Sequence, residues 1–202
     1  MKELVHENYQ SLVNSILSGS LDPVYGSATL FRIGYDLDRH GKRDDADFIY
    51  LRTVEVLESL AEPGSKVSET SLAQIAFEHG KNLETLGRHN VASIALARAV
   101  NIYDSLLETN CSQGLVVLLA SALNWLALAE RKSGKTNQAL STYRRTISLW
   151  RQLLLVNSAP DVLARIRQQL STTLVGYAKL LSAIGQIKNA KLARAEAKSL
   201  LK

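Results

Sequence analysis

The sequence is poor in cysteine, proline and aromatic residues, and each shortage excludes something. A single cysteine, Cys111, rules out an internal disulfide framework and a four-cysteine zinc site, and it fits a reducing compartment. Three prolines and eleven glycines in 202 residues are few for a loop-rich or β-rich chain. No apolar run is long. The most apolar, "GLVVLLASALNWLALA" (114–129), is shorter than the ~20 residues of a membrane span and carries Ser121 and Asn124, so it reads as a buried helix. The first residues, "MKELVHENYQSLVNSIL", are no signal peptide, because Glu3, His6, Glu7, Asn8 and Gln10 interrupt any apolar core. The expectation is a cytoplasmic protein away from membranes.

Negative charge is short in the second half. Residues 111–202 hold fourteen Lys and Arg against three Asp and Glu, a net of +11, while residues 1–110 hold ten against sixteen, a net of −6. The overall +5 hides this dipole along the sequence. What the chain does have is 46% apolar residues, enough for a sizeable core, and much Ala, Leu, Ser, Lys and Arg, which favour helix.

The stretch "ERKSGKTNQAL" (130–140) ends like a phosphate-binding loop. A P-loop needs a glycine five residues before its Gly-Lys pair and a preceding strand. Ala129 stands there instead, after a long helical pattern. The glycine has copies elsewhere. Gly41, Gly87, Gly134 and Gly185 are separated by 46, 47 and 51 residues, periods that mean stacked supersecondary units. Five residues after each lies alanine (Ala46, Ala92, Ala139, Ala190), and seven before each lies a small residue (Gly34, Gly80, Ala127, Ala178). A tight turn between antiparallel helices needs a glycine at positive φ, and helices that touch closely need small side chains.

This spacing resembles the tetratricopeptide repeat over about residues 27–202. Tyr50 and Tyr143 stand at the family's aromatic position four after the alanine, with Leu96 and Arg194 in the other two copies. The units exceed the usual ~34 residues, so they resemble the long-helix repeats of kinesin light chain and of bacterial regulatory arrays. The stretch 149–186 is most similar to that subgroup. The resemblance implies an all-α, right-handed α-solenoid: one domain over 1–202, with an N-terminal capping helix in 1–22 and repeats at about 23–61, 67–109, 113–156 and 159–201. Asp22-Pro23 reads as N-cap and first helical residue, and "EPGSKVSET" (62–70) as an inter-repeat loop.

A second imitation is "DLDRHGKRDDAD" (36–47), which follows an EF-hand loop at Asp36, Asp38, Gly41, Asp44 and Asp47. His40 is a poor calcium ligand, Asp47 replaces the bidentate glutamate, and Arg39, Lys42 and Arg43 add positive charge. No metal or cofactor is expected. No catalytic spacing exists among His6, His40, His79 and His89, although His79 and His89 could meet Glu78 or Glu84, and nothing marks Cys111 as a nucleophile. The chain is therefore read as no enzyme.

In arrays of this kind the first helix of each pair lines a concave groove, ten, six and three residues before the turn glycine. That register gives Phe31, Tyr35 and Asp38, then Phe77, Lys81 and Glu84, then Asn124, Leu128 and Arg131, then Val175, Lys179 and Ser182. Aromatic anchors beside Asn, Lys and Arg donors suit a peptide. Phe31 and Phe77 read equally as inter-repeat core. Tyr35 and Phe31 stand where chaperone-binding relatives want asparagine and lysine, which argues against that role. The expectation is an interaction module or adaptor that holds a peptide or helix of an acidic protein partner, through Phe31, Tyr35, Phe77, Lys81, Asn124, Leu128, Arg131 and Lys179. The alternatives are nucleic-acid or acidic-partner binding by the basic half, through Arg131, Lys132, Arg144, Arg145, Arg151, Arg165 and Arg167, and head-to-tail self-assembly into a homo-oligomer.

Overall fold

The computed structural model describes residues 2–60, 69–110 and 112–201, with the side chains of residues 2–8 and 58 outside that description. Among the described residues the chain is helical, without strands: α1 (Lys2–Leu17), α2 (Pro23–Arg39), α3 (Arg43–Leu60), α4 (Glu69–Thr85), α5 (His89–Thr109), α6 (Gln113–Lys132), α7 (Thr136–Val156), α8 (Pro160–Ala183) and α9 (Ile187–Ser199). Most of the loop expected over 62–70, and Cys111, lie outside the described residues, while Glu69 and Thr70 already belong to α4.

Two compact units divide the chain, Met1–Ile102 and Tyr103–Lys202. In the first, α1 packs on α2 and α3, and both of these touch α4. The leading helix buries Tyr9, Val13 and Ile16. In the second unit α6 packs on α7, α7 on α8, and α8 on α9. Its core gathers Ile147, Trp150, Leu153, Ile166, Leu170, Leu174 and Leu181 with Ala190, Ala193 and Ala197 of α9. By length and composition alone α6 could cross a membrane, but Leu115, Leu119, Leu123 and Leu126 are buried inside this unit.

The helix ends follow local chemistry. Asp22 caps α2 by accepting the Tyr25 N–H at 2.9 Å, with Pro23 at the first helical position. Pro160 likewise opens α8 at the first helical position, without a side-chain cap. The four turn glycines have φ of 74°, 77°, 80° and 79°. Each turn repeats one hydrogen-bond pattern. The glycine N–H reaches the carbonyl three residues back, and the next N–H reaches the one five back, as in Gly134 to Arg131 at 3.3 Å and Lys135 to Glu130 at 2.8 Å. This is the Schellman closure of a helix. Gly134-Lys135-Thr136 thus ends α6 and aims these N–H groups at its own carbonyls, not at a phosphate.

The repeat's small position and its aromatic position are two halves of one contact. A Cβ added to Gly34 would lie 2.5 Å from the Tyr50 ring, and one on Gly80 would lie 2.4 Å from Leu96. Tyr50, Leu96 and Tyr143 are all buried. In the fourth unit the exposed Arg194 turns away and donates to Ser182 Oγ at 2.8 Å.

Gly34→Val is expected to lower stability by about 1–3 kcal/mol, because the branched side chain must displace the Tyr50 ring. Gly114 in α6 is exposed and meets nothing, so Gly114→Ala is expected to raise stability by about 0.5 kcal/mol. Urea denaturation of both variants checks the pair, and a neutral Gly34→Val would refute the contact.

Candidate functional site

Helices α2 and α4 of the first unit face each other across a groove. One cavity, about 420 Å³, is lined by Val24, Ala28 and Phe31 from α2 and by Ser71, Gln74, Ile75, Glu78, His79 and Asn82 from α4. These recur every three or four residues, the spacing that puts side chains on one helix face. A second cavity, about 350 Å³, continues along the same helices and is lined by Phe31, Arg32, Tyr35, Asn82, Thr85 and Leu86. Phe31 and Asn82 border both.

Phe31 organises this groove. Its ring centroid lies 5.2 Å from that of Tyr50 and 4.9 Å from that of His79, which it meets edge to face at 75°. His79 is only 7% exposed. Burial lowers its pKa from 6.5 to about 4, so the imidazole is neutral at physiological pH. The neighbouring histidine took the glutamate: His89 Nδ1 lies 2.7 Å from buried Glu84.

The eight expected groove residues divide between the units. In the first, Phe31 lines both cavities and Tyr35, 39% exposed, lines the second. Phe77 and Lys81 line neither. Lys81 Nζ lies 5.4 Å from the Phe77 ring centroid and 2.9 Å from Glu78 Oε2. A repeat register carries equivalent residues to equivalent places on successive helices. On α4 the equivalents of Phe31 and Tyr35 thus lie beside the cavity-lining Glu78 and not in the lining itself. In the second unit, Asn124 Oδ1 accepts from Thr173 Oγ1 at 3.0 Å. Leu128 and Arg131 are half-buried and Lys179 is exposed. The register alone missed Val24, Ala28, Ser71, Gln74, Ile75, Glu78 and Asn82. The signal that finds them is the amphipathic strip of α4 one face away from Phe77.

The EF-hand imitation is occupied by the protein itself. Arg88, from the next turn, pairs with Asp38 and lies 3.5 Å from Asp47 Oδ2, while His40 Nδ1 sits 2.6 Å from the Asp36 carbonyl. Burial raises the Asp47 pKa and Arg88 opposes that rise. Among the described residues no three His, Cys, Asp or Glu side chains gather as metal ligands.

Part of the basic half is internally paired. Arg145 pairs with Asp104, Arg151 holds Glu196 at 2.7 and 2.8 Å, and Arg144 Nε donates to Tyr177 Oη at 3.2 Å. Arg165 and Arg167 are exposed on α8. A cavity of about 390 Å³ lies between α7, α8 and α9, lined by Ile147, Leu174, Leu181 and Leu192 beside Arg144 and Arg151.

No protein-family profile and no curated protein sequence matches the chain. Among solved structures it is similar to the crystal structure of BtubC (BKLC) from P. vanneervenii, with a TM-score of 0.40 and 15% sequence identity over 98% of this chain and 88% of that one.

Proposed function

We propose that this chain is a non-enzymatic, cytoplasmic interaction module: a single right-handed α-solenoid of four long tetratricopeptide-like helix pairs behind an N-terminal helix. It holds a helix or extended peptide of a partner protein in the groove between α2 and α4. The observation that carries this reading is the pair of adjoining cavities there, with an apolar floor of Val24, Phe31 and Ile75 and neutral polar groups from Gln74 and Asn82. Phe31 and Tyr35 lie one helical turn apart, about 6 Å along α2. That separation matches successive anchors i and i+4 of a docked helix, or i and i+2 of a strand. The charge of the 111–202 half, +11, favours an acidic partner and acts on encounter rate and specificity. No metal or cofactor enters this reading.

The test is capture of a partner by the wild-type chain beside a Tyr35→Ala, Gln74→Arg variant with unchanged helical circular dichroism. A partner held by the first and lost by the second, more weakly at high salt, supports the groove. Equal capture by both, with salt-independent affinity, refutes it.

A second reading rests on the exposed cations of α8 and α9, Arg165, Arg167, Lys179, Lys188, Lys191 and Lys198. They would bind nucleic acid, or the −6 half of another copy in a head-to-tail assembly. A gel shift with mixed-sequence DNA and RNA tests the first, and light scattering at two salt concentrations tests the second.

A further inference from the structure

His79 is buried yet lines the larger α2–α4 cavity, and neither ring nitrogen has a hydrogen-bond partner among the described residues. Buried polar side chains are normally paired, and an unpaired one costs free energy until something supplies the bond. Thr53 donates to the Ile49 carbonyl at 2.8 Å and Glu84 is paired with His89. Ser27 Oγ and Tyr50 Oη are also without partners among the described residues but line neither cavity; His79 alone of these opens onto the groove. His79 is left to whatever enters the cavity.

The surroundings define that occupant. A neutral imidazole offers one N–H and one lone pair. A phenol hydroxyl answers whichever nitrogen it meets, by donating to the lone pair or accepting from the N–H, and it sits at the far end of a flat apolar ring. The Phe31 and His79 rings meet in a T shape, and Val24 and Ile75 supply aliphatic walls. The volume of about 420 Å³ falls within the ~300–1,000 Å³ of ligand pockets. Among the described residues no lysine or arginine lines it, and the charged side chain that does is Glu78. Glu78 is itself paired with Lys81, so an anionic occupant would meet a neutral imidazole and an ion pair already closed, with no free cation among the described lining residues.

We propose that this cavity is a tyrosine pocket: it takes the unmodified phenol of a partner's tyrosine, whose hydroxyl bonds His79 while its ring packs on Phe31, Val24 and Ile75, and it rejects the same tyrosine once phosphorylated. The assignment rests on the groove reading above and names its anchor. It makes tyrosine phosphorylation of the partner a release signal, the opposite of recognition by an arginine cluster.

The experiment titrates the full chain, by protein-observed NMR, with N-acetyl-tyrosinamide, its O-methyl ether, its O-phosphate and N-acetyl-phenylalaninamide. The tyrosine probe is expected to shift α2 and α4 resonances and to bind about tenfold more tightly than the ether or the phenylalanine probe, with the phosphate weakest. In His79→Phe the tyrosine and phenylalanine probes become equal, and His79→Gln, which keeps a neutral donor and acceptor, restores part of the preference. Equal binding of tyrosine, ether and phenylalanine probes to wild type, no binding at millimolar concentration, or tight binding of the phosphate overturns the proposal. The wild-type comparison stands even if a His79 variant fails to fold. Should the probes fail while a partner is still lost from the Tyr35→Ala, Gln74→Arg variant, the tyrosine assignment falls and the groove reading survives.

Discussion

Trp150→Ala is expected to lower the unfolding free energy of the 103–202 unit by about 3–5 kcal/mol. Trp150 is 1% exposed and sits among Ile147, Leu153, Ile166, Leu170, Leu174 and Leu181, drawn from α7 and α8. Truncation removes the largest buried ring there and leaves a void that helices fixed by their own hydrogen bonds cannot close. Against a usual total of about 5–15 kcal/mol, the loss leaves little. Trp150→Phe separates packing from polarity. The indole Nε1 is buried without a partner among the described residues. Phenylalanine thus loses ring volume but also removes an unpaired donor worth about 1–3 kcal/mol, and it is expected within about 1 kcal/mol of wild type. Urea denaturation followed by circular dichroism measures both. A loss below about 1 kcal/mol in Trp150→Ala would show that this side chain does not centre the core.

Acid is expected to destabilise the first unit through His79 by about 3 kcal/mol between pH 7 and pH 4. The folded chain holds this imidazole neutral down to about pH 4, whereas the unfolded chain protonates it near 6.5. A group with a lowered folded pKa contributes stability above its unfolded pKa. That stability falls away with falling pH, by about 1.4 kcal/mol per unit across this window, because only the unfolded state takes up the proton. Other groups titrate in the same range, so the diagnostic is a difference. Denaturation of wild type and His79→Gln at pH 7.0, 5.5 and 4.5 should show the wild type losing more at each step. Parallel curves would mean that the imidazole is charged, or solvated, in the fold.

Parts of this protein are legible in its sequence because their cause is local. A residue at positive φ after a helix is glycine for steric reasons, so Gly41, Gly87, Gly134 and Gly185 announce turns wherever the chain goes afterwards. Asp22-Pro23 announces a helix start on the same terms. The pairing of Gly34 with Tyr50, and of Gly80 with Leu96, is visible as a repeated offset, since two helices joined by a short turn have little freedom in how they meet.

The groove is a different matter. The register named Phe31 and Tyr35 on the face of α2 that meets α4, but on α4 it named Phe77 and Lys81, which line neither cavity; Lys81 settles against the cavity-lining Glu78 instead. Nor does the order of residues say which of two nearby histidines takes Glu84. His89 does, and His79, ten residues earlier, is left buried against Phe31 with its nitrogens unmatched. Backbone sterics and short-range spacing are enough to dictate the helices, their turns and the small-residue contacts, so these can be read along the chain. Which faces meet, and which polar groups stay unpaired, is fixed by the folded arrangement, because both depend on how α2 and α4, separated in the chain by the whole of α3, come to lie side by side.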